Sequence, residues 1–359
     1  MIKKGYLGYV HSFRGFAILN IVAIHAFAFA LIIPLNFEPD QTAPMYVLNE
    51  VLFHDSTLYF ALISGLLFSS ILRSRGYSRF YQGKLLYVLS PYIFCTVVFS
   101  MMRWNDMGTG LLAGPSDMSD YLGSILPNFL SGEAQFTYWY IPVLLFMYAI
   151  TPMLSKLTGA RSYAAIPAWI IMFSPLVFSR PEFEAGVNQL NAGTLIYFTG
   201  AYTLGIYLGD KLEARLDFIA LHLKPLIAVA ILTSVLIAIL MFAGINRFGF
   251  FSVQESLFYV QKLCIAAVIL LWLRNLAENQ PRWMTTFANE AFSIYFLHVF
   301  MIVLLADIFW AAVRNPDFQP FSIYLSGWMY FAFALFMSMA VVYLARLLFG
   351  KYSRMLIGS

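Results

Sequence analysis

Residues 11–30, HSFRGFAILNIVAIHAFAFA, form an apolar stretch of helical length carrying two residues that apolar helices avoid, Arg14 and His25. They stand 11 positions apart. At 100° per residue this is about 20° from a whole number of turns, so the spacing predicts both side chains on one helix face, ~16 Å apart along the axis. If the helix crosses a membrane, Arg14 lies at one surface and His25 near the middle. An ionisable residue at that depth is costly to bury and marks a functional site by default.

The composition supports a membrane setting. Of the 359 residues, 61% are hydrophobic and 11% charged, and the mean hydropathy is +0.75. A soluble domain carries about 25% charged residues. Ten apolar runs are expected to span, near residues 13–35, 51–72, 85–104, 138–154, 163–178, 193–209, 225–245, 255–273, 290–311 and 323–346. Each is near the ~20 residues that a bilayer core requires. The longest stretch between them, Asn105–Thr137, is too short for a separate soluble domain. Residues 1–359 therefore read as a single all-α integral-membrane domain. Lys3, Lys4 and Ala26-Phe27-Ala28 imitate a secretion signal,. Arg14, Asn20 and His25 interrupt its apolar run, so a retained first helix is expected.

Lysine and arginine orient the chain. One side takes Lys3, Lys4, Arg14, Arg73, Arg75, Arg79, Lys84, Lys156, Arg161, Lys211, Arg215, Lys224, Arg274, Arg282, Arg346, Lys351 and Arg354, 17 in all. The other takes only Arg103, Arg180, Arg247 and Arg314, and Lys262 lies inside the eighth run. By the positive-inside rule both termini are cytoplasmic. The net charge of +4 thus reflects topology, and no nucleic-acid partner is expected. The outer loops are acidic, with Glu38, Asp40, Glu50, Asp106, Asp117, Asp120, Glu133, Glu182, Glu184 and Asp317. Trp139 and Tyr140 fall at a span end, where an interfacial aromatic belt is the plain reading. Cys95 and Cys264 lie in apolar runs and form no disulfide framework, and the five scattered histidines have no metal-ligand spacing,. No metal is expected.

Three features can carry chemistry. His25 is the first: either a neutral imidazole bonding a neighbouring helix, or a general base. Arg14 on its face is either a snorkelling anchor or part of the same site. The second is the basic segment Arg73–Lys84, with Arg73, Arg75, Arg79 and Lys84, which sets topology, touches anionic lipid or binds the phosphates of a soluble cofactor,. The third is the ninth run, where His298 lies about 12 Å past Glu290 and so at a depth similar to His25. Asp307, nine positions on, faces a different neighbour. His54, Asp55 and Lys262 are further intramembrane or interfacial candidates, with Asp55 placed to orient a base or an acceptor.

Taken together these segments resemble the acyltransferase family 3 membrane proteins, bacterial carbohydrate O-acyltransferases of the stand-alone type. SFRGFAILNIVAIHA matches the family's Arg, ten residues, His signature through Arg14 and His25. LYFALISGLLFSSIL resembles its aromatic-rich segment ending in Ser-Gly, here Ser64-Gly65. YWYIPVLLFMYAITPML resembles its Trp-x-x-Pro-Val segment, and SIYFLHVF its Tyr-x-x-His segment through Tyr295 and His298. The likeness covers most of the chain, with the four segments in order. One position departs. The family often carries Arg-x-x-Arg before a Pro-Tyr pair, linked to the acyl donor. Here Lys84-Leu85-Leu86-Tyr87 precedes Pro91-Tyr92, keeping the first charge and losing the second. Arg73, Arg75 and Arg79 are the nearby cations.

The resemblance implies an enzyme of the bacterial inner membrane. Acyl-CoA, acetyl-CoA by family habit, would enter from the cytoplasm as a co-substrate, with no permanently bound cofactor. Its phosphates would lie near Arg14 and the 73–84 segment, and its acyl end would reach toward His25. A hydroxyl of a glycan or lipid-linked sugar would approach from the outer side, where Asp55, Trp139, Tyr140 and Ser64 are candidate contacts. His25 would take the hydroxyl proton, while His298 or another buried donor stabilises the oxyanion or assists proton movement. An acyl-enzyme relay on His25 or Ser64 is the other route. A proton-coupled transporter or flippase and a catalytically silent membrane partner stay open as alternatives, as does a homo-oligomer.

Overall fold

The computed structural model describes residues 7–32, 43–101, 117–178, 180, 189–249, 251–313 and 323–358. Outer-loop residues Glu38, Asp40, Arg103, Asp106, Glu182, Glu184, Arg314 and Asp317 lie outside them, as does the side chain of Asp307. The described chain is almost wholly helical. In order it forms α1 (Gly8–Ile32), α2 (Pro44–Phe53), α3 (Thr57–Leu67), α4 (Tyr77–Lys84), α5 (Ser90–Phe99), α6 (Met118–Ser131), α7 (Tyr140–Gly159) and α8 (Ile166–Phe173). Next come α9 (Ala192–Asp210), α10 (Leu212–Leu221), α11 (Leu223–Phe242), α12 (Val253–Asn275), α13 (Arg282–Asn289), α14 (Ala291–Val313), α15 (Ile323–Phe349) and α16 (Ser353–Ile357). Two-residue strands, Arg247–Phe248 and Phe251–Ser252, pair antiparallel between α11 and α12.

Helix lies at each of the ten expected spans. Among the described residues, seven helical segments are long and apolar enough to cross a membrane, or eight when the broken pair Arg282–Asn289 and Ala291–Ala306 counts as one. The exceptions have physical reasons. α8 is short, its apolar stretch running only from Ser162 to Leu176. α9 has the length but is rich in Thr, Tyr and Gly, and most of its residues are buried within the protein, so its surface has no need to match lipid. α11 is the opposite case: nearly all apolar, yet with only Thr233, Ile237 and Met241 buried. Apolar surface of that extent, exposed on every other side, suits hydrocarbon. Within the stretch Asn105–Thr137, expected to be a loop between spans, the structure forms α6. Met118, Leu122, Leu126 and Leu130 recur every fourth residue and make one exposed apolar face on it,.

The contacts divide the chain into two compact units, each assembled from distant parts of the sequence. The first comprises Met1–Ala17, Asp55–Gln82 and Val143–Asn289. Its core is the α3–α9 pair. A Cβ on Gly65 would fall 2.1 Å from the Tyr202 carbonyl oxygen, and one on Gly205 would fall 2.1 Å from that of Leu62. The two backbones approach closely because neither glycine has a side chain, the small-residue packing that membrane helices use in place of a hydrophobic drive.

One end of this unit is locked by buried charge. Arg180 makes an ion pair through Nη1 with Asp55 Oδ1 at 3.0 Å and through Nε with Glu255 Oε2 at 3.0 Å. The Tyr197 hydroxyl donates to Asp55 Oδ2 at 2.5 Å. Burial alone would lower the Arg180 pKa, but the Asp55 and Glu255 carboxylates outweigh it and raise it above the usual arginine value. At the other end His11 Nε2 meets Asn289 Oδ1 at 3.0 Å, the Tyr9 hydroxyl donates to Glu213, and Arg274 bridges Glu213 and Asp217.

The second unit comprises Ile18–His54, Gly83–Pro142 and Glu290–Ser359. Its core is aromatic, built on Tyr92, Phe99, Tyr138 and Phe296. Arg346 Nη2 grips both Glu290 oxygens at 2.6 and 2.7 Å, tying the start of α14 to the end of α15. α16 folds onto α5 through Ser90 Oγ donating to the Met355 carbonyl.

Two outcomes follow in detergent-solubilised protein. Gly205→Val should lower the unfolding free energy by about 1–3 kcal/mol, seen as a drop in Tm, while Gly83→Ala, with open space around it, should leave Tm unchanged. Arg180→Met should cost about 3–5 kcal/mol by stranding two buried carboxylates, and replacing Asp55 and Glu255 with apolar residues in the same chain should regain much of it.

Candidate functional site

The second unit brings His25 and His298 together. Their ring centroids are 5.3 Å apart, with the planes tilted by 38°. His25 is half-buried on α1, while His298 is fully buried on α14. The phenyl ring of Phe136 stands edge-on to His25 at 5.3 Å and 81°. His25 has no hydrogen bond to either ring nitrogen among the described residues, so both remain available.

His298 is held differently. Its Nδ1 lies 2.9 Å from the Ile294 carbonyl oxygen and 2.9 Å from that of Tyr295. Carbonyl oxygens only accept, so Nδ1 must carry the hydrogen, and in the neutral ring Nε2 is then a bare lone pair. That Nε2 is buried and has no partner among the described residues. A buried polar atom left unpaired costs about 1–3 kcal/mol.

The segment carrying Phe136 is non-helical and lies between α6 and α7. It is strapped to α14 by two tyrosines that exchange bonds in opposite directions. The Tyr295 hydroxyl on α14 donates to the Thr137 carbonyl, and the Tyr138 hydroxyl donates back to the Phe296 carbonyl at 2.8 Å. A 3-10-like turn closes the segment, with the Tyr138 amide donating to the Gln135 carbonyl at 2.9 Å. Phe296, Phe99 and Tyr92 wedge the Tyr138 ring at centroid distances of 5.4, 6.0 and 6.2 Å. Gln135 within it is fully buried. The Thr137 hydroxyl donates to its Oε1 at 3.2 Å, and its Nε2 has no partner among the described residues. Non-helical backbone is tolerated at membrane depth where protein satisfies it, and these straps do so.

The other expected site residues divide between the units. In the second unit Trp139 is half-buried with its ring 5.9 Å from that of Tyr140, and Tyr140 packs 6.4 Å from Tyr295, whose own ring lies 6.1 Å from that of His298. Lys84 is half-buried at the end of α4. Tyr87 sits in the π-helical turn Leu85–Leu89, and the Arg354 guanidinium on α16 lies 4.1 Å over its ring. In the first unit Arg14 is half-buried eleven residues before His25 on the same helix. Arg73, Arg75 and Arg79 are exposed, with Arg73 3.5 Å from Asp210. Ser64 is half-buried on α3. Asp55, expected as an acceptor contact, is instead engaged by Arg180 and Tyr197 and buried. Asp55 and Glu255 form the type of acidic pair that attracts a cation, and Arg180 supplies that charge. His54 Nδ1 lies 2.5 Å from Glu50 Oε2, and Lys262 is fully buried on α12.

Sequence reasoning missed Gln135, Phe136, Thr137 and Arg354. The first three fell in what read as an outer loop, though QFTYWY holds no charge and is dense in aromatics. Arg354 was counted only for topology.

A family model described as an acyltransferase domain matches residues 7–347 of the 359-residue chain. No curated protein and no solved structure matches it. The matched region takes in α1, the strapped segment and α14, every part that builds the histidine pair, and on that match this all-α, multi-pass membrane chain belongs to acyltransferase family 3.

Proposed function

We propose that this acyltransferase moves an acyl group, acetyl by family habit, from cytoplasmic acyl-CoA to a hydroxyl of a cell-envelope or lipid-linked sugar. It would do so in the bacterial inner membrane with both termini cytoplasmic. The observation that carries the reading is the meeting of His25 and His298 within one unit, one half-buried and open, the other fixed. A transporter needs no such pair of differently prepared imidazoles, and the family favours transfer chemistry.

In this reading His25 is the general base. It takes the proton of the attacking hydroxyl as the oxygen bonds to the thioester carbonyl carbon. The tetrahedral intermediate then collapses. The C–S bond breaks, the CoA sulfur leaves, and the proton held on His25 passes to it. His298 cannot donate from Nε2 while Nδ1 holds its hydrogen, so neutral His298 is not the oxyanion donor. Its lone pair beside the His25 ring suits the other task, favouring the imidazolium that forms there. This accounts for an unpaired atom whose burial costs stability.

In the second unit the donor's phosphates would be held by Lys84, while Arg14, Arg73, Arg75 and Arg79 of the first unit remain the sequence's other donor-binding candidates. The second cation missing from Lys84-x-x-Tyr87 would come from Arg354, stacked on the ring that replaced it,. Trp139 and Tyr140 remain the best-placed acceptor contacts, stacking on a sugar face.

Two experiments test this. Membranes carrying wild type, His25→Ala and His298→Ala are given labelled acetyl-CoA and a glycan-lipid extract, and CoA release and glycan label are followed. His25→Ala should lose about 10²–10⁴-fold in rate at unchanged Tm. CoA release that survives His25→Ala, or solute flux without CoA consumption, overturns the assignment. Arg354→Ala should raise the KM for acyl-CoA about tenfold with kcat unchanged, the loss of one charge-assisted phosphate contact.

A further inference from the structure

With His298 unable to donate, the negative oxygen of the tetrahedral intermediate needs another donor. From this gap, and resting on the acyl-transfer reading above, we infer that the Gln135 carboxamide is that donor, with Nε2 directed at the thioester carbonyl oxygen.

Three observations support it. First, Gln135 is fully buried and its Nε2 is unpartnered among the described residues. Two N–H groups are thus desolvated with no protein acceptor, an arrangement that costs free energy unless something else accepts from them. Second, the side chain is oriented. Thr137 Oγ1 donates to Oε1 at 3.2 Å, which leaves Nε2 as the end of the amide without a partner among the described residues. The Thr137 carbonyl is in turn held by Tyr295, three residues before His298. Third, the next residue along, Phe136, lies against His25. The segment that presents the free amide is therefore the one that walls the base, and it is clamped to the helix that carries His298. A preorganised donor in a water-poor site pays no reorganisation when charge develops on the carbonyl oxygen.

Atoms balance as before. The acceptor oxygen bonds to the carbonyl carbon, and the carbonyl π pair moves to oxygen, where Gln135 Nε2–H bonds to it. The pair returns as C–S breaks. Gln135 exchanges no proton.

The test compares Gln135→Met and Gln135→Glu with wild type in membranes, using acetyl-CoA and the glycan-lipid extract. Gln135→Met keeps length and loses the donor, so kcat should fall about 10²–10³-fold while KM for both substrates stays within about threefold and Tm is unchanged. Gln135→Glu keeps the acceptor for Thr137 but sets a carboxylate against the oxyanion, so its kcat should fall at least as far. A trifluoromethyl-ketone analogue of acetyl-CoA, which binds as a tetrahedral adduct, should weaken in Gln135→Met by about the same factor as kcat. If Gln135 only braces the segment through Thr137, the order reverses: Gln135→Glu stays near wild type, Gln135→Met loses Tm, and the proposal falls. It also falls if Gln135→Met turns over within threefold of wild type, the result expected when a water satisfies the amide. Absence of turnover in the folded wild type removes the acyl-transfer reading itself and this assignment with it, and it is seen without any substitution.

Discussion

Helices in hydrocarbon have no water to satisfy a stray polar group, so each such group must find its partner inside the protein or remain at a cost. In the second unit that constraint is met by the two crossed tyrosine bonds, Tyr295 to the Thr137 carbonyl and Tyr138 to the Phe296 carbonyl. They let a non-helical segment run through a buried aromatic core. The first satisfies the Thr137 carbonyl of that segment and the second pins the segment to α14, which fixes Phe136 against His25.

The same constraint makes the exceptions informative. Some buried hydroxyls bond back to their own helix, as Thr151 does to the Met147 carbonyl and Thr203 to the Thr199 carbonyl, and others, such as Ser293 and Ser338, have no partner among the described residues. His298 and Gln135 are oriented firmly at one end and unpaired at the other. One presents a lone pair and the other an N–H pair. Acyl transfer needs both kinds of group, one for the proton and one for the oxyanion. The first unit shows the contrasting use of buried polarity. Asp55, Glu255, Arg180 and Tyr197 answer one another's charge and hydrogen bonds, and close glycine contacts between α3 and α9 fill the rest. Its cluster is a fastening, and its chemistry is spent within the protein.

Much was legible before any coordinates. Local hydropathy marked helix at each of the ten spans, because a backbone in lipid has few alternatives to a helix. Counting residues at 1.5 Å each set Arg14 near one surface and placed His25 and His298 at comparable depth. Where the reading failed, the signal was not local. QFTYWY has no helical or strand period, and its burial comes from partners more than 150 residues away, Tyr295 and Phe296. The bonds that Asp55 makes to Arg180 and Tyr197 were likewise invisible, because those partners lie 125 or more residues downstream. Amphipathic α6 lay within Asn105–Thr137, a stretch expected to be a loop between spans.

Membrane class and helix content are thus properties of the chain alone, since apolar length acts residue by residue. Which helices touch is not. The pairing of His25 with His298, the tautomer that denies His298 a donor's role, the unpaired amide of Gln135 and the guanidinium of Arg354 over Tyr87 all depend on side chains brought together from distant segments. Hydrogen-bond direction is set by the neighbour that occupies the other end of each group, and only the tertiary structure supplies that neighbour.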